Sequence, residues 1–519
     1  MNQSKKTLNT WKETLGNFLH PKVITMLFLG FSAGIPILLI FSSLSLWLNE
    51  AGVERSTITF FAWAALGYSF KFIWAPLIDR LPFPVLTRLL GRRRGWMLVS
   101  QISVITAICW MAFNNPESGH QSLVFMAFAA VMLGFSSATQ DIVIDAYRIE
   151  SAGEELQALM SSTYVAGYRI GAHLVVGAGA LYLASYFGSE KGAYSYLAWK
   201  QTYLIMACTM LVGITTTLII KEPGINEDRV ETFESRDYFG LMIIFICAVI
   251  GFITTFYFSA DMAGKMKATL TEVFSNKHLA GFLIETSRLG AGILTGIIIA
   301  RLFILARVVQ INVIRQTYVD PIKDFFNRYG TGLACLLLTL VGLYRISDIV
   351  LGVISNVFYQ DLGFDKKEIA KIVSVYGLLM TLTGGFIGGI LSVRYGAIRI
   401  LFLGALLSSA TNLLFMILAK MGAQTFMLYF VISADNLSAG LATVAFVAFL
   451  SSLTNIKFTA TQYAIFSSIM TLFPKIFGGY SGTIVDNLGY STFFLITALI
   501  GIPVLLLVWL AGKYMVHNA

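Results

Sequence analysis

Long apolar segments recur along the whole chain, from near residue 23 to near residue 512. The hydrocarbon core of a bilayer is about 30 Å thick, and a helix needs about 20 apolar residues to cross it. Backbone groups in lipid must find their hydrogen-bond partners inside the protein, so only helices and closed barrels cross membranes. Stretches such as 401–407 and 499–510 lack the polar and apolar alternation of barrel strands. The sequence therefore predicts an all-α polytopic membrane protein.

Charged residues are sparse and lie mainly in short loops. They make up 13% of the 519 residues, against about 25% in soluble domains, while apolar residues make up 56%. A formal net charge of +9 would suggest a nucleic-acid partner for a soluble protein, but here the basic loops account for it. We therefore expect membrane lipids, and no nucleic acid, around this chain.

The sequence offers no recognisable enzyme signature. It contains no H-E-x-x-H, no G-x-S-x-G and no G-x-x-x-x-G-K-[ST] motif. The four cysteines lie inside apolar segments without the paired spacing of a metal site or a disulfide framework. We expect neither an enzyme nor a bound metal or cofactor, and a proton gradient as the energy source. The first span lacks a small-residue cleavage site, so we expect it to be retained.

The apolar segments form two groups of six, with two further spans between them. The first group is 23–48, 57–78, 96–113, 122–147, 157–186 and 200–220. The extra pair is 238–260 and 286–306. The second group is 331–359, 367–393, 398–419, 424–453, 459–484 and 490–512. The predicted domains are a cytoplasmic segment 1–22, a six-helix half 23–220, a linker 221–330 with the extra pair, a second half 331–512 and a tail 513–519.

About fourteen crossings place both termini on the same side of the membrane. Loops on that side carry more Lys and Arg than the opposite loops, including the run Arg92, Arg93 and Arg94. Cytoplasmic loops are enriched in these residues, so we expect both termini in the cytoplasm.

The loop after the second span of each half contains a related motif. The first copy has Asp79, Arg80 and Arg92 within GYSFKFIWAPLIDRLPFPVLTRLLGRRRGW. The second, GGFIGGILSVRYGAIRI, has Arg394 but no preceding acid. The pattern resembles the signature loop of the major facilitator superfamily, whose charges can pair across the two halves and hold one access state. An ordinary basic cytoplasmic loop is the alternative, and the second copy is the weaker candidate for such a gate.

The segment QDIVIDAYR near the end of the fourth span carries Gln140, Asp141 and Asp145. The two acids are four residues apart, so they share a helix face, with Arg148 nearly one turn further along. Charges at membrane depth are costly unless they meet a partner or a wet cavity. Repulsion between neighbouring carboxylates favours a proton on one of them. The pair is a candidate for proton coupling, although Asp145 and Arg148 alternatively only end the helix.

The neighbouring spans supply candidate substrate-binding residues. Arg169 is a candidate partner for the acidic pair or for a substrate carboxylate, and Tyr164 and Tyr168 are candidates for stacking on a sugar ring. Lys71 lies mid-span, three residues after Tyr68, and we expect it to face the cavity. Lys71, Tyr68 and Gln140 are further candidates for substrate binding. Packing residues are the alternative for the aromatic side chains.

The second half adds polar residues at membrane depth. The candidates for substrate binding are Arg345, Asp348, Asn356, Gln462 and Lys475. A self-contained ion pair is the alternative for Arg345 and Asp348, which are three residues apart. Lys71, Arg169, Arg345 and Lys475 together predict a basic cavity and hence an anionic solute.

These motifs together resemble the AmpG-type muropeptide permeases, inner-membrane members of the major facilitator superfamily in Gram-negative bacteria. The resemblance extends over nearly the whole chain and is most specific in QDIVIDAY. It implies proton-driven import of GlcNAc-anhydro-MurNAc peptides for cell-wall recycling, linked to induction of the AmpC β-lactamase. It also marks Gln140, Asp141 and Asp145 as functionally sensitive.

Alternative solutes remain open on the residues alone. An acetyl-CoA transporter would be another carrier of an anion, and a drug/proton antiporter would instead use its acids to bind a lipophilic cation. Lys71 and Arg169 argue against the antiporter. We expect the chain to act as a monomer.

Overall fold

The computed structural model describes residues 11–54, 57–58, 61, 64, 66–83, 85–190, 193–224, 235–274, 277–478 and 481–517. The regular elements within these ranges are helices. The predicted all-α class is therefore confirmed.

The first part of the chain forms a series of long and short helices. They are α1 Trp11–Gly16, α2 Pro21–Ile40, α3 Ser42–Glu50, α4 Leu66–Phe70, α5 Ala75–Arg80, α6 Leu86–Leu90, α7 Arg92–Ala112, α8 His120–Ser151, α9 Glu154–Arg169, α10 Leu181–Tyr186, α11 Tyr196–Thr209 and α12 Leu211–Ile219. Short 3-10 turns cover Asn17–Leu19, Lys71–Ile73 and Pro116–Ser118, and a π-helix over Ile170–Ala180 joins α9 to α10.

The remaining helices follow in the same way. They are α13 Ser235–Phe258, α14 Ala260–Phe274, α15 Lys277–Leu305, α16 Ile311–Ile314, α17 Asp320–Leu343, α18 Ile346–Asp361, α19 Lys366–Ile369, α20 Gly377–Tyr395, α21 Ala397–Met421, α22 Thr425–Leu453, α23 Thr459–Gly478 and α24 Ser481–His517. Two π-helices cover Arg315–Val319 and Ala370–Tyr376, and a 3-10 turn covers Ile456–Phe458.

Two of these helices are kinked at a glycine with positive φ. Gly330 (φ 69°) interrupts α17, and Gly489 (φ 76°) interrupts α24. Left-handed backbone is readily adopted by glycine and costly for other residues, so these positions mark sharp turns. Each kink directly precedes a predicted span, at 331 and 490.

Eleven described helical segments are long and apolar enough to cross a membrane. Of the predicted spans, 57–78, 157–186 and 459–484 are not among these segments, but each contains described helix. The prediction of about fourteen spans is consistent with this arrangement.

The chain forms two compact units. One contains Met1–Ile78, Pro82–Ile225 and Phe325–Ala519, and the other contains Asp79–Leu81 and Asn226–Asp324. In the second unit, α13 and α15 pack together, with Thr255 Oγ1 donating to Thr295 Oγ1 at 3.0 Å. The predicted domain limits at 220 and 330 stay predictions.

Backbone-to-backbone contacts at glycine hold the helices of the larger unit close together. A Cβ at Gly30 in α2 would lie 2.2 Å from the carbonyl oxygen of Tyr164 in α9. In the second half, a Cβ at Gly384 in α20 would lie 2.1 Å from the carbonyl oxygen of Leu437 in α22. Small residues permit this approach between membrane helices. In the first half the packing fixes the register of Tyr164 and its neighbours on α9.

Candidate functional site

Helix α8 carries the acidic motif into the interior of the larger unit. From Ser136 to Ile149 every side chain of this 32-residue helix is buried, so protein surrounds it on all sides. Gln140 is 0% exposed, Asp141 8% and Asp145 5%. The structure therefore brings the three motif residues together at a fully enclosed position, where ionised groups need partners.

Lys71 is the cation that faces both acids. It lies in the 3-10 turn after α4, and its Nζ is 3.9 Å from Asp141 Oδ2 and 4.0 Å from Asp145 Oδ2. The Lys71 side chain is only 7% exposed. Sequence reasoning proposed Arg169 as the partner of the acidic pair, whereas the structure gives this place to Lys71 and to Arg148.

Arg148 connects the acidic pair to the second half of the chain. Its Nη2 lies 3.1 Å from Asp145 Oδ1, and its Nη1 donates to Ser161 Oγ at 2.9 Å and to Ser451 Oγ at 2.8 Å. The guanidinium carbon is 5.2 Å from the ring centroid of Tyr463. The sequence placed Arg148 about one turn beyond Asp145 on the same helix face, but the partners on α22 and α23 depend on how the halves pack.

The charges around the motif balance. Lys71 and Arg148 offset Asp141 and Asp145, and all four side chains are buried. One oxygen of the pair is nevertheless unsatisfied, because Asp141 Oδ1 is buried and has no hydrogen-bond partner among the described residues. A buried carboxylate oxygen without a donor is costly, so Asp141 is the acid whose protonation costs the site least.

Three tyrosines lie close to Asp141. Tyr68 hydrogen-bonds with Ser137 Oγ, and the rings of Tyr164 and Tyr168 have their centroids 6.4 Å apart. Each of the three interacts electrostatically with Asp141. The predicted aromatic side chains and the predicted acid are thus parts of one site.

Each half contributes one guanidinium group to a pair of like charges. Arg169, half-buried at the end of α9, and Arg345, half-buried before α18, repel each other electrostatically. Among the described residues, Arg169 has no hydrogen-bond or ion-pair partner, whereas Arg345 Nε lies 3.2 Å from Asp348 Oδ2. Arg345 also donates to Thr443 Oγ1. Two like charges of this kind favour an anion between them.

The second half has an acidic pair of its own, which sequence reasoning only partly found. Asp348 accepts a hydrogen bond from Ser408 Oγ, and Asp435 Oδ1 accepts one from Thr411 Oγ1 at 3.2 Å. The two carboxylates repel each other, and Arg345 attracts both. An aspartate in the middle of the apolar span 424–453 was the available signal for Asp435.

The remaining predicted binding residues of the second half lie elsewhere or outside the described part. Gln462 is buried, and its Oε1 accepts from Arg328 Nη2 at 3.0 Å and from the backbone N of Asn455 at 2.8 Å. That oxygen therefore stabilises the turn between α22 and α23. The side chains of Asn356 and Lys475 lie outside the described residues, and their roles stay predictions.

The GRRRGW run holds three helices of the first half together. Gly91 has φ 93°, and the carboxylate of Glu222 sits where a Cβ would lie. Glu222 accepts from the backbone N of Arg93 at 2.8 Å and of Arg94 at 3.1 Å, which caps the N-terminus of α7. Arg93 Nε also donates to Glu150 Oε2 of α8 at 2.9 Å.

The four predicted gating residues differ in their burial. Asp79 and Arg80 are buried and belong to the smaller unit, where Arg80 Nη2 donates to the Gln316 carbonyl oxygen at 3.4 Å. Arg92 is half-buried, and Arg394 is exposed. The gating role of these four residues stays a prediction.

The two halves meet where the α8–α9 turn approaches the α22–α23 turn. Ser162 Oγ of α9 donates to the Gly385 carbonyl oxygen of α20 at 3.0 Å, and Ile149 packs into the apolar core of the second half. Together with the bond from Arg148 to Ser451, these contacts close this end of the site between the halves.

These helices and this site between two halves define a multi-pass membrane transporter. The chain belongs to the major facilitator superfamily, whose family profile matches residues 26–344 and 336–517. It is similar to the "Putative transporter AmpG 4" of Rickettsia conorii, with 31% identity over 488 residues that cover 94% of this chain and 96% of the relative. It is also similar to the "Anhydromuropeptide permease" of Escherichia coli, with 28% identity over 491 residues that cover 94% of this chain and 79% of the relative. The AmpG-type resemblance is thus confirmed.

Solved structures support the same fold. The human organic anion transporter MFSD10 matches with a TM-score of 0.57 at 13% identity, covering 94% of this chain and 99% of that one. The proton:xylose symporter XylE, bound to 6-bromo-6-deoxy-D-glucose, matches with a TM-score of 0.56 at 12% identity, covering 94% of each chain. At such identities the likeness concerns the fold alone.

Proposed function

We propose that this protein is a proton-coupled transporter that imports GlcNAc-anhydro-MurNAc peptides from the periplasm into the cytoplasm. The observation that carries the proposal is the pair Arg169 and Arg345, two half-buried guanidinium groups from opposite halves, of which Arg169 has no hydrogen-bond or ion-pair partner among the described residues. The name of the Escherichia coli relative supports the substrate class. In cells this import would serve cell-wall recycling and thereby the induction of the AmpC β-lactamase.

An anionic glycopeptide suits the residues around this pair. Its lactyl and peptide carboxylates would offset the charge of Arg169 and Arg345, because guanidinium groups bind carboxylates with paired hydrogen bonds. Its pyranose rings would lie against the tyrosines near Asp141, whose faces suit sugar rings. Anion binding would thus relieve the repulsion between the two guanidinium groups.

The charge balance around α8 supports proton coupling. Lys71, Arg148, Asp141 and Asp145 sum to zero when both acids are ionised. A proton on Asp141 or Asp145 leaves the group with one net positive charge, which strengthens the attraction for an anion nearby. Proton and anionic substrate would therefore favour each other's binding, and this reciprocity is what symport requires.

The direction of transport rests on the charge of the loops. With both termini in the cytoplasm of a bacterial inner membrane, the turns 152–153 and 454–458 would face the cytoplasm. The contacts between the halves near Arg148 would then close the cytoplasmic end of the site. We infer also that the chain acts as a monomer with no cofactor beyond the proton gradient.

Uptake measured in energised membrane vesicles tests this proposal, and vesicles with an inverted proton gradient serve as controls. Vesicles with the wild-type protein should accumulate labelled GlcNAc-anhydro-MurNAc tripeptide only when a proton gradient is imposed. D141N should lose the gradient-dependent accumulation by about 100-fold, since a general proton-transfer group typically contributes that much or more. D261N, an exposed aspartate in α14, is the matched control and should keep it.

Competition identifies the solute class in the same vesicles. Excess unlabelled muropeptide should abolish the uptake, and acetyl-CoA or hydrophobic cations should leave it unchanged. Accumulation without a gradient, or a D141N variant that behaves like wild type, would contradict the coupling. Inhibition by hydrophobic cations alone would overturn the substrate class.

A further inference from the structure

Helices α21 and α22 of the second half pack antiparallel and keep one register over two turns. Near one end of their contact, Thr411 Oγ1 donates to Asp435 Oδ1 at 3.2 Å. Near the other end, a Cβ at Gly404 would lie 2.9 Å from the Cα of Ala442. The two contacts are seven residues apart on each helix, so the positions between them face each other in order.

Two serines face each other between these contacts. Ser408 lies three residues before the hydrogen-bonded threonine on α21, and Ser438 lies three residues after the aspartate on α22. Ser408 Oγ donates to Asp348 Oδ1 of α18. Ser438 is only 3% exposed, and its Oγ has no hydrogen-bond partner among the described residues. An unpaired buried hydroxyl is costly, so Ser438 is available as a ligand beside the two acids.

Asp435 is the acid of this group that has no ion-pair partner among the described residues. The cation Arg345 pairs with Asp348 at 3.2 Å and also donates to Thr443 Oγ1 of α22. Thr443 lies eight residues after Asp435, which is about 12 Å along the helix axis. Arg345 is therefore held beside Asp348, and the two carboxylates repel each other. The described group carries one negative charge in excess.

Further hydrogen bonds hold the helices around the acids in place. Asn412 Nδ2 of α21 donates to Ser347 Oγ of α18 at 2.7 Å, and Ser347 Oγ donates to the carbonyl oxygen of Thr497 in α24 at 2.7 Å. Asn412 and Ser347 are both buried. Because Ser347 directly precedes Asp348, these bonds fix the acid of α18 against α21. Oxygens held in this way lose little freedom when they bind a ligand.

We propose that the second half binds a sodium ion between α18, α21 and α22. Carboxylate and hydroxyl oxygens are the ligands that hard cations prefer. One negative charge in excess matches a monovalent ion, since a divalent ion would leave an uncompensated positive charge. The close approach of α21 and α22 favours Na⁺ over the larger K⁺. The ligands are side-chain oxygens of Asp348, Ser408, Thr411, Asp435 and Ser438.

The ion adds a binding site to the proposed proton coupling. The expectation of no bound metal rested on the cysteines, whereas a site of oxygen ligands needs none. With Na⁺ bound, the group around Arg345 is neutral, and the charge of Arg169 stays available to an anionic solute. Na⁺ and muropeptide would then favour each other's binding. This consequence rests on the proposed function, but the binding of the ion does not.

Sodium binding to the purified protein tests the proposal without muropeptide. In choline chloride buffer the wild type should bind radioactive Na⁺ saturably, and added Na⁺ should raise its Tm, because a ligand of the folded state stabilises it. K⁺ at the same concentration should neither compete nor raise Tm. D435N should lose both effects, whereas D261N, the exposed aspartate of α14, should keep them.

Two unpaired serines separate ion binding from general stability. Ser409 Oγ also has no hydrogen-bond partner among the described residues, but a Cβ at Gly501 would collide with it, so Ser409 faces α24 and not α22. S438A should raise the Na⁺ concentration at half-maximal binding by about 10-fold or more, since even residues that only support metal ligands typically contribute that much. S409A should leave that concentration unchanged. Both variants must elute as monodisperse protein in size-exclusion chromatography.

Three results would overturn the sodium site. They are a wild type without saturable Na⁺ binding, a D435N variant that binds Na⁺ like the wild type, and equal Na⁺ affinities of S438A and S409A. Normal Na⁺ binding by protein that fails to take up muropeptide would instead contradict the proposed substrate and support the site.

Discussion

The two halves of this transporter bury their charges in different ways. In the first half, Lys71 and Arg148 balance Asp141 and Asp145, and every member is enclosed. In the second half, the described residues place one cation, Arg345, against two acids, Asp348 and Asp435, and the group is only half-buried. Among the described residues, the charges of the first group therefore balance, whereas the second group has one negative charge in excess.

Arg169 is the cation of the first half that acts on the second group. It repels Arg345 electrostatically. The groups named in both halves then sum to zero with all acids ionised. A single proton would make the site cationic, and a substrate carboxylate would restore neutrality. From this comparison we propose that the first half binds the proton and that the boundary between the halves binds the anion.

Removal of Lys71 should have the largest effect. K71M leaves two buried carboxylates with one cation, and loss of one partner of a buried ion pair costs about 3–5 kcal/mol. We expect a marked fall in Tm and the loss of uptake. K265M, an exposed lysine in α14, should change neither. The double variant K71M/D141N should recover much of the lost Tm, and its failure to do so would contradict the proposed charge balance.

Replacement of the two arginines at the boundary should separate binding from stability. R169Q removes a cation that has no described partner, so we expect KM for muropeptide to rise by about 10-fold or more with an unchanged Tm, since charge-assisted contacts contribute about 1.5–3 kcal/mol. R345Q leaves Asp348 and Asp435 without their cation, so KM should rise and Tm should fall.

Two results with these variants would contradict the proposed role of Arg169. Equal losses of Tm in R169Q and R345Q would show that Arg169 is a structural residue. An unchanged KM in R169Q with correctly folded protein would remove it from the substrate site.

Replacement of Asp435 should have the smallest effect. D435N relieves the repulsion between two acids and keeps the acceptor for Thr411 Oγ1. We therefore expect the free energy of unfolding to stay equal or to rise by about 1 kcal/mol or less, with Tm unchanged or slightly higher. The pH dependence of uptake should persist, because the first half supplies the proton. Loss of that dependence in D435N, with its retention in D141N, would reverse the assignment of the two halves.

The fold was largely predictable from the sequence. Apolar length alone identifies most spans, because the bilayer imposes a segment of about 20 residues whatever the tertiary packing. The pairing of Asp145 with Arg148 also follows from helical periodicity. These features depend on residues close together in the chain.

Partners that are distant in sequence were harder to find. Lys71 approaches the acidic pair from another helix, and Ser451 lies 303 residues after Arg148 in the chain. Gln462 was expected at the substrate site because it is polar in an apolar span, but its oxygen is occupied by Arg328 and Asn455. A single sequence shows which polar groups need partners, but the packing of the halves decides which partners they receive.

Proton movement driven by substrate tests the central claim most directly. Proteoliposomes containing the protein and a trapped pH indicator should acidify inside when GlcNAc-anhydro-MurNAc tripeptide is added outside, with no imposed gradient. D141N should bind the muropeptide but show no acidification, and D261N should match the wild type. Muropeptide entry without proton movement in the wild type would contradict the account.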